Sequence, residues 1–336
     1  MNSSINFSRD ASLRVKGIAV LLMIAHHLFT QDVFSNITSV PLSQIFMQVG
    51  LAGKICVSIF MFIGGYAYLL SREKSLLKRV WHIYKKFFVT FLIVTIILYL
   101  LKKLYVTPEE YIQNALCVSW EINGSWWFIS TYILNIIAFY ILRPYRIKSI
   151  YIQFFILIIC IVVIQPFSDY LRTIQSINPI LKNQLHYFLY YVGFFYMGII
   201  FFQFKFFDKI KKLKMKTFIV LLLSLLILFA IRVILKFNEV NFLVVPIFIS
   251  LVCYLPQKEV VLKFLGRYSM GMWLVHMFFI YDKYFLHQIA ITTSPLLLYS
   301  IVTILSLIYA ISESYFVNMI KMAYNYVKRE IFKNRI

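Results

Sequence analysis

The sequence is poor in charge. Only 14% of its 336 residues are Asp, Glu, Lys or Arg, too few to coat a soluble protein of this size. Acids are the scarcer kind, 13 against 34 Lys and Arg, which leaves a formal net charge of +21. Cysteine is also thin. Cys56, Cys117, Cys160 and Cys253 are widely separated, and no pair has the short spacing of a zinc site or a redox dithiol, so neither metal nor disulfide is expected. There is no internal repeat, no low-complexity linker, and no small-residue cleavage site that would remove the first apolar run. No stretch between apolar runs exceeds about 20 residues. That leaves no room for a soluble catalytic domain, so any chemistry must take place among helices.

What the sequence does have is apolar. It is 61% hydrophobic and 18% aromatic, with a mean hydropathy of +0.80, against roughly 45–50% apolar in an ordinary globular protein. This predicts an all-α, polytopic membrane helix bundle, a single integral domain over 1–336 whose solvent is the lipid bilayer. A crossing needs about 20 mostly apolar residues. Runs of that kind fall near 17–36, 47–70, 84–105, 125–142, 150–168, 184–204, 217–236, 241–256, 268–287 and 294–320. The eighth is short and carries Pro246, which predicts a kink.

The basic residues test this count. With the N-terminus inside, 26 Lys and Arg fall on the inner side and six on the outer. Cytoplasmic loops carry that excess, so about ten spans in the plasma membrane, with both termini cytoplasmic, are expected. The same distribution argues against nucleic acid as partner, because the cations sit in short loops and have no folded domain of their own.

Titratable groups at bilayer depth are costly, and each is a functional candidate. In the first span Lys16 and His27 are eleven residues apart, close to three full turns, so they share one face about 16 Å apart. Histidine is the side chain best able to take and return a proton near neutrality, which suits a general base. The alternative is a histidine satisfied by a neighbouring helix together with a snorkelling lysine. His26 points about 100° away, and Asp32 is poorly aligned to orient His27, so an orienting carboxylate must come from another helix. Lys54, some way into the second span, is expected to reach His27 at similar depth or to snorkel to the interface. Arg232 suits snorkelling, while Glu313 and His276 suit either packing or substrate. On the outer side, Trp120-Glu121-Ile122-Asn123-Gly124-Ser125-Trp126-Trp127 combines a carboxylate, an amide and three indoles. That is the make-up of a carbohydrate platform, with Glu121, Trp126 and Trp127 as its candidates, or of an interfacial aromatic belt.

The Lys16-x10-His27 spacing resembles the Arg/Lys-x10-His motif of the membrane-bound acyltransferase-3 family. Three further segments are similar to that family in order along the chain. They are Val57-Ser58-Ile59-Phe60-Met61-Phe62-Ile63-Gly64-Gly65-Tyr66; Ser125-Trp126-Trp127-Phe128-Ile129, followed by Tyr132 and Arg143-Pro144; and Leu265-Gly266-Arg267-Tyr268-Ser269-Met270-Gly271-Met272-Trp273-Leu274-Val275-His276. The resemblance implies acyl transfer, commonly acetyl from acetyl-CoA, to a hydroxyl of a cell-surface or exported glycan. His27 then matches the family's essential histidine and Lys16 its motif cation, near the entrance for CoA. Arg79, Lys85 and Lys86 suit CoA phosphates or reflect ordinary inner-face bias. Departures stand beside these matches: Gly64 replaces a serine, Trp273 replaces a tyrosine, and Arg79-Val80-Trp81-His82 is the nearest approach to an Arg-x-x-Arg pair. Some relatives carry a fused extracytoplasmic domain that finishes the transfer, so a separate partner enzyme is one expectation. A transporter or flippase for a glycan or lipid-linked precursor is the rival reading; broken helices and inverted repeats would mark it.

Overall fold

The fold is seen in a computed structural model that describes residues 7–30, 43–71, 75–210, 215–234, 238–254, 259–280 and 294–333. In chain order the helices are α1 (Arg9–Leu28), α2 (Gln44–Gly53), α3 (Cys56–Leu70), α4 (Leu76–Leu100), α5 (Pro108–Ala115), α6 (Trp127–Leu142) and α7 (Ile150–Ile159). They continue with α8 (Gln165–Thr173), α9 (Pro179–Gln203), α10 (Phe206–Ile210), α11 (Met215–Ile234), α12 (Asn241–Tyr254), α13 (Val260–Ile280) and α14 (Pro295–Lys333). There is no strand among the described residues.

Among the described residues, six helical stretches are long and apolar enough to cross a membrane: Arg9–Leu28, Gln44–Leu70, Leu76–Leu100, Ile150–Thr173, Pro179–Gln203 and Pro295–Ile320. Three more apolar helices, Trp127–Leu142, Phe218–Ile231 and Asn241–Cys253, are shorter. The chain is a multi-pass membrane protein. Asp32 lies outside the described residues, as do the far end of the first expected span and the side chain of Arg232.

Helix starts follow local chemistry. Ser8 caps α1 by accepting from the Ala11 N–H at 3.1 Å, which starts that helix at Arg9, ahead of the apolar run. Thr107 and Glu110 form a reciprocal capping box on α5, with Pro108 in its first turn. The second expected span is not one helix. It breaks at Lys54-Ile55, between α2 and α3, where Gly50 and Gly53 let α2 lie against α1. A π-helical stretch, Cys160–Ile164, separates α7 from α8 just before Pro166, whose missing N–H cannot continue the α ladder.

The centre of the bundle is the pair α1 and α13. They run parallel: Asp10 meets Lys263 at 3.1 Å near their starts, and the rings of His27 and His276 lie 5.1 Å apart near their ends. Close approach is possible because a Cβ at Gly17 would strike the Leu262 carbonyl and one at Gly266 the Leu13 carbonyl. Small residues at the crossing let helix backbones meet where lipid offers no hydrophobic drive. α3 and α6 also run side by side, with Phe60 against Phe128 and Gly64 against Tyr132.

Candidate active site

Lys16 and His27 both face α13, as their spacing predicts. Lys16 shares a cavity of about 170 Å³ with Ser269, Met270 and Trp273. One turn beyond Trp273, His276 meets the His27 ring at 46° between planes. His26 lies 5.0 Å from His27 on the other side, but its Nδ1 is held on the Gly50 carbonyl at 2.8 Å. His276 is fully buried and its Nδ1 bonds the Trp273 carbonyl at 2.6 Å. The turn carrying it is pinned from α6 and the segment before it, since Asn123 Nδ2 and Trp126 Nε1 both donate to the Leu274 carbonyl, at 3.2 and 2.9 Å. Trp126 is 2% exposed and packs on Phe87 and Phe278. Its indole therefore braces the site and presents no open face to a sugar.

The Lys16 cavity is the inner end of a longer trough. Gly64, Ala67, Ile83 and Tyr132 line both it and a neighbouring space of about 440 Å³ that runs out to Ser71, Lys78, Arg79 and His82. Arg79 is fixed at the rim, with its guanidinium 4.4 Å from the Tyr68 ring centroid and Nη1 donating to the Tyr68 carbonyl at 3.0 Å. At the neck, a Cβ on Gly64 would run into the Tyr132 ring. Any side chain at position 64 would have to share that room with the phenol. No carboxylate lines the trough among the described residues.

Lys85 and Lys86 do not join Arg79. They line a second cavity of about 370 Å³ between α4 and α14, whose lining also includes His82, Asn318 and Glu313. Glu313 is 3% exposed and accepts from Thr90 Oγ1 at 2.9 Å. Lys86 is within electrostatic reach of both Glu313 and Lys16, so it stands between the two spaces.

On the far side of the bundle, Trp127 stacks on Tyr187, with centroids 4.0 Å apart, and on Tyr191. Trp120 meets Tyr187 edge-on, and Arg172 lies over that ring. Glu121 is exposed beside this cluster. Lys54 is exposed at the α2–α3 break and acts on His186; the titratable groups acting on His27 among the described residues are His276 and His26. Tyr132 stood in the sequence only as part of a family-like segment, with nothing to place it against Gly64, and nothing in the sequence pointed to Tyr187.

Residues 14–312 match the model of a family described as an acyltransferase domain. No curated protein and no solved structure shows significant similarity to the chain.

Proposed function

The chain belongs to the acyltransferase-3 family, and we propose on that footing that it moves an acyl group, in the first instance acetyl, from acyl-CoA to a hydroxyl of a cell-surface or exported polysaccharide. The observation that carries this reading is the trough. It begins at a basic rim of Lys78 and Arg79, narrows between Gly64 and Tyr132, and ends between Lys16 and Trp273; Trp273 is one turn of α13 below His276, which meets His27. A polyanionic donor with a long, thin arm suits such a shape. Arg79 and Lys78 take phosphate, the neck admits the pantetheine arm, and Lys16 sits at the inner end.

His27 is then the general base. A thioester is already activated, so the protein must supply only a proton acceptor for the hydroxyl and a site for the developing oxyanion. The hydroxyl proton passes to His27 as its oxygen attacks the thioester carbon. The C–S bond breaks, and the CoA sulfur leaves with the proton that His27 returns.

The acceptor approaches from the opposite side, past Trp127 and Glu121, with Lys54 exposed at the α2–α3 break. Ten spans with both termini cytoplasmic in the plasma membrane remain the topology that fits best. The parallel course of α1 with α13, and of α3 with α6, supports it, because spans one and nine, or two and four, of such a chain must run the same way. A separate extracytoplasmic partner would finish the transfer if the acceptor never reaches His27. The break at Lys54-Ile55 and the π stretch at Cys160–Ile164 are features a transporter would also show, but neither lines the trough.

The experiment compares base-labile O-acetyl groups, by proton NMR, on surface glycans of cells with the wild-type chain, without it, or with His27→Ala. Acetyl present only with the wild type, together with release of free CoA in proportion, is the expected result. Identical spectra and no CoA release in all three, with the protein inserted, would sink the reading and favour transport.

A further inference from the structure

Among the described residues, the base at His27 lacks the partner that a catalytic imidazole ordinarily has. A histidine that takes a proton from a hydroxyl must be held in one tautomer, and its positive form must be stabilised through its second ring nitrogen; a buried carboxylate usually does both. No carboxylate acts on His27 among the described residues; its titratable neighbours are His26 and His276. His26 is already tied by Nδ1 to the Gly50 carbonyl of α2.

His276 is placed differently. A carbonyl oxygen only accepts, so the 2.6 Å contact between His276 Nδ1 and the Trp273 oxygen puts the ring proton on Nδ1. Nε2 is therefore a lone pair. That atom is buried and has no hydrogen-bond partner among the described residues. A buried, unpaired acceptor costs about 1–3 kcal/mol, and such a group in a native bundle calls for an explanation. The His27 and His276 ring centroids are 5.1 Å apart. Two imidazoles joined in line by one N–H···N bond have centroids about 5 Å apart, so the bond forms by turning the His27 ring without moving the helices. The His276 ring cannot drift, because Trp273 holds its Nδ1 while Asn123 and Trp126 hold the next carbonyl, at Leu274.

We infer that His276 is the positioning residue of His27, its bare Nε2 accepting the N–H of the base and doing for this acyltransferase what a carboxylate does elsewhere. The inference rests on the reading of His27 as base. His276 neither touches the acyl group nor exchanges a proton; the atoms balance as in the transfer above. A neutral imidazole stabilises the imidazolium less than a carboxylate would. The expected effect is accordingly smaller than the roughly ten-thousandfold loss when a triad carboxylate is neutralised.

The test uses full-length chain in native membranes with radiolabelled acetyl-CoA, read as base-labile label on endogenous acceptor. His276→Leu removes the lone pair at similar volume; His276→Gln returns an acceptor oxygen near the Nε2 position. The leucine variant is expected to lose about a hundredfold in kcat with KM for acetyl-CoA changed less than about twofold, and the glutamine variant to recover at least about tenfold of that loss. Glutamine no better than leucine, a loss confined to KM, or a wild-type rate for leucine would each overturn the assignment. Nitrogen NMR of histidine-labelled protein provides a readout that needs no turnover. His276 is expected to show a protonated Nδ1 and a hydrogen-bonded, unprotonated Nε2 whose signal shifts in His27→Ala; a protonated Nε2, or no shift, overturns it. If wild-type membranes transfer no label, or His27→Ala retains full rate, the acyl-CoA or base reading fails by itself, and the NMR result still decides whether the two histidines are paired.

Discussion

Two cavities flank α4, and they differ in more than size. The trough on the α3–α6 side is rimmed by Lys78 and Arg79 and lined inward by Gly64, Tyr132 and Lys16, with no acid along it among the described residues. The cavity on the α14 side has as many cations at its mouth, Lys85 and Lys86, yet holds Glu313 in its wall. A carboxylate in a low-dielectric recess repels a phosphate as strongly as a lysine attracts one. The first space can therefore admit a polyanion along its length, while the second offsets its own charge. The lesson is that the number of cations at a mouth says less about an anionic ligand than the sign of what lies behind them.

The largest effect should come at His27, beyond the inner end of the trough. His27→Ala is expected to cut acyl transfer by about a thousandfold or more while membrane insertion and melting temperature hold, as checked by CoA release and detergent-solubilised thermal unfolding. Next come the rims. Arg79→Ala is expected to raise KM for acyl-CoA by about 10- to 100-fold, since a charge-assisted hydrogen bond contributes about 1.5–3 kcal/mol, with kcat little changed. Lys85→Ala, across the helix, should move KM less than about twofold. Equal effects from the two would erase the distinction between the cavities.

This split also measures what the sequence makes legible. Apolar runs reveal a multi-pass helical protein, because bilayer thickness fixes run length whatever packs against what. Lys16 and His27 can be placed on one face because eleven residues of an unbroken helix have only one geometry. Arg79 and Lys85-Lys86 looked like one phosphate-binding run, but nothing in the run says that α14 would bring Glu313 to part of it. His276 was visible as a buried titratable group, whereas its contact with His27 depends on the parallel course of α1 and α13. The break at Lys54-Ile55 had a faint signal in Gly50 and Gly53, whose missing side chains let α2 approach α1. Trp126 read as part of a sugar platform or an interfacial belt from its neighbours alone; its bond to Leu274 needs a partner about 150 residues away in sequence.

The neck sharpens the comparison further. Gly64→Ala places a methyl against the Tyr132 ring, and overpacking of this kind costs about 1–3 kcal/mol. Turnover with acyl-CoA is expected to fall about tenfold. Tyr132→Leu in the same chain should restore most of it, because the ring is what the methyl meets. A double-mutant cycle measures the coupling directly. Additive losses would mean that the neck is not on the donor's path.

The smallest effect on transfer should come from the second cavity. Thr90→Val removes the one hydroxyl that donates to Glu313 Oε1, leaving a buried carboxyl group short of a donor. That should destabilise the protein by about 1–3 kcal/mol, seen as a lower melting temperature in detergent, while kcat and KM for acyl-CoA shift less than about twofold. The two readouts separate because Glu313 faces α13 at Gly271, below the His276 turn. There it holds α4, α13 and α14 together without lining the trough. A fall in turnover larger than the fall in stability would instead place Glu313 among the groups that serve the donor, acting through Lys86 on Lys16, and the two cavities would then be one electrostatic unit.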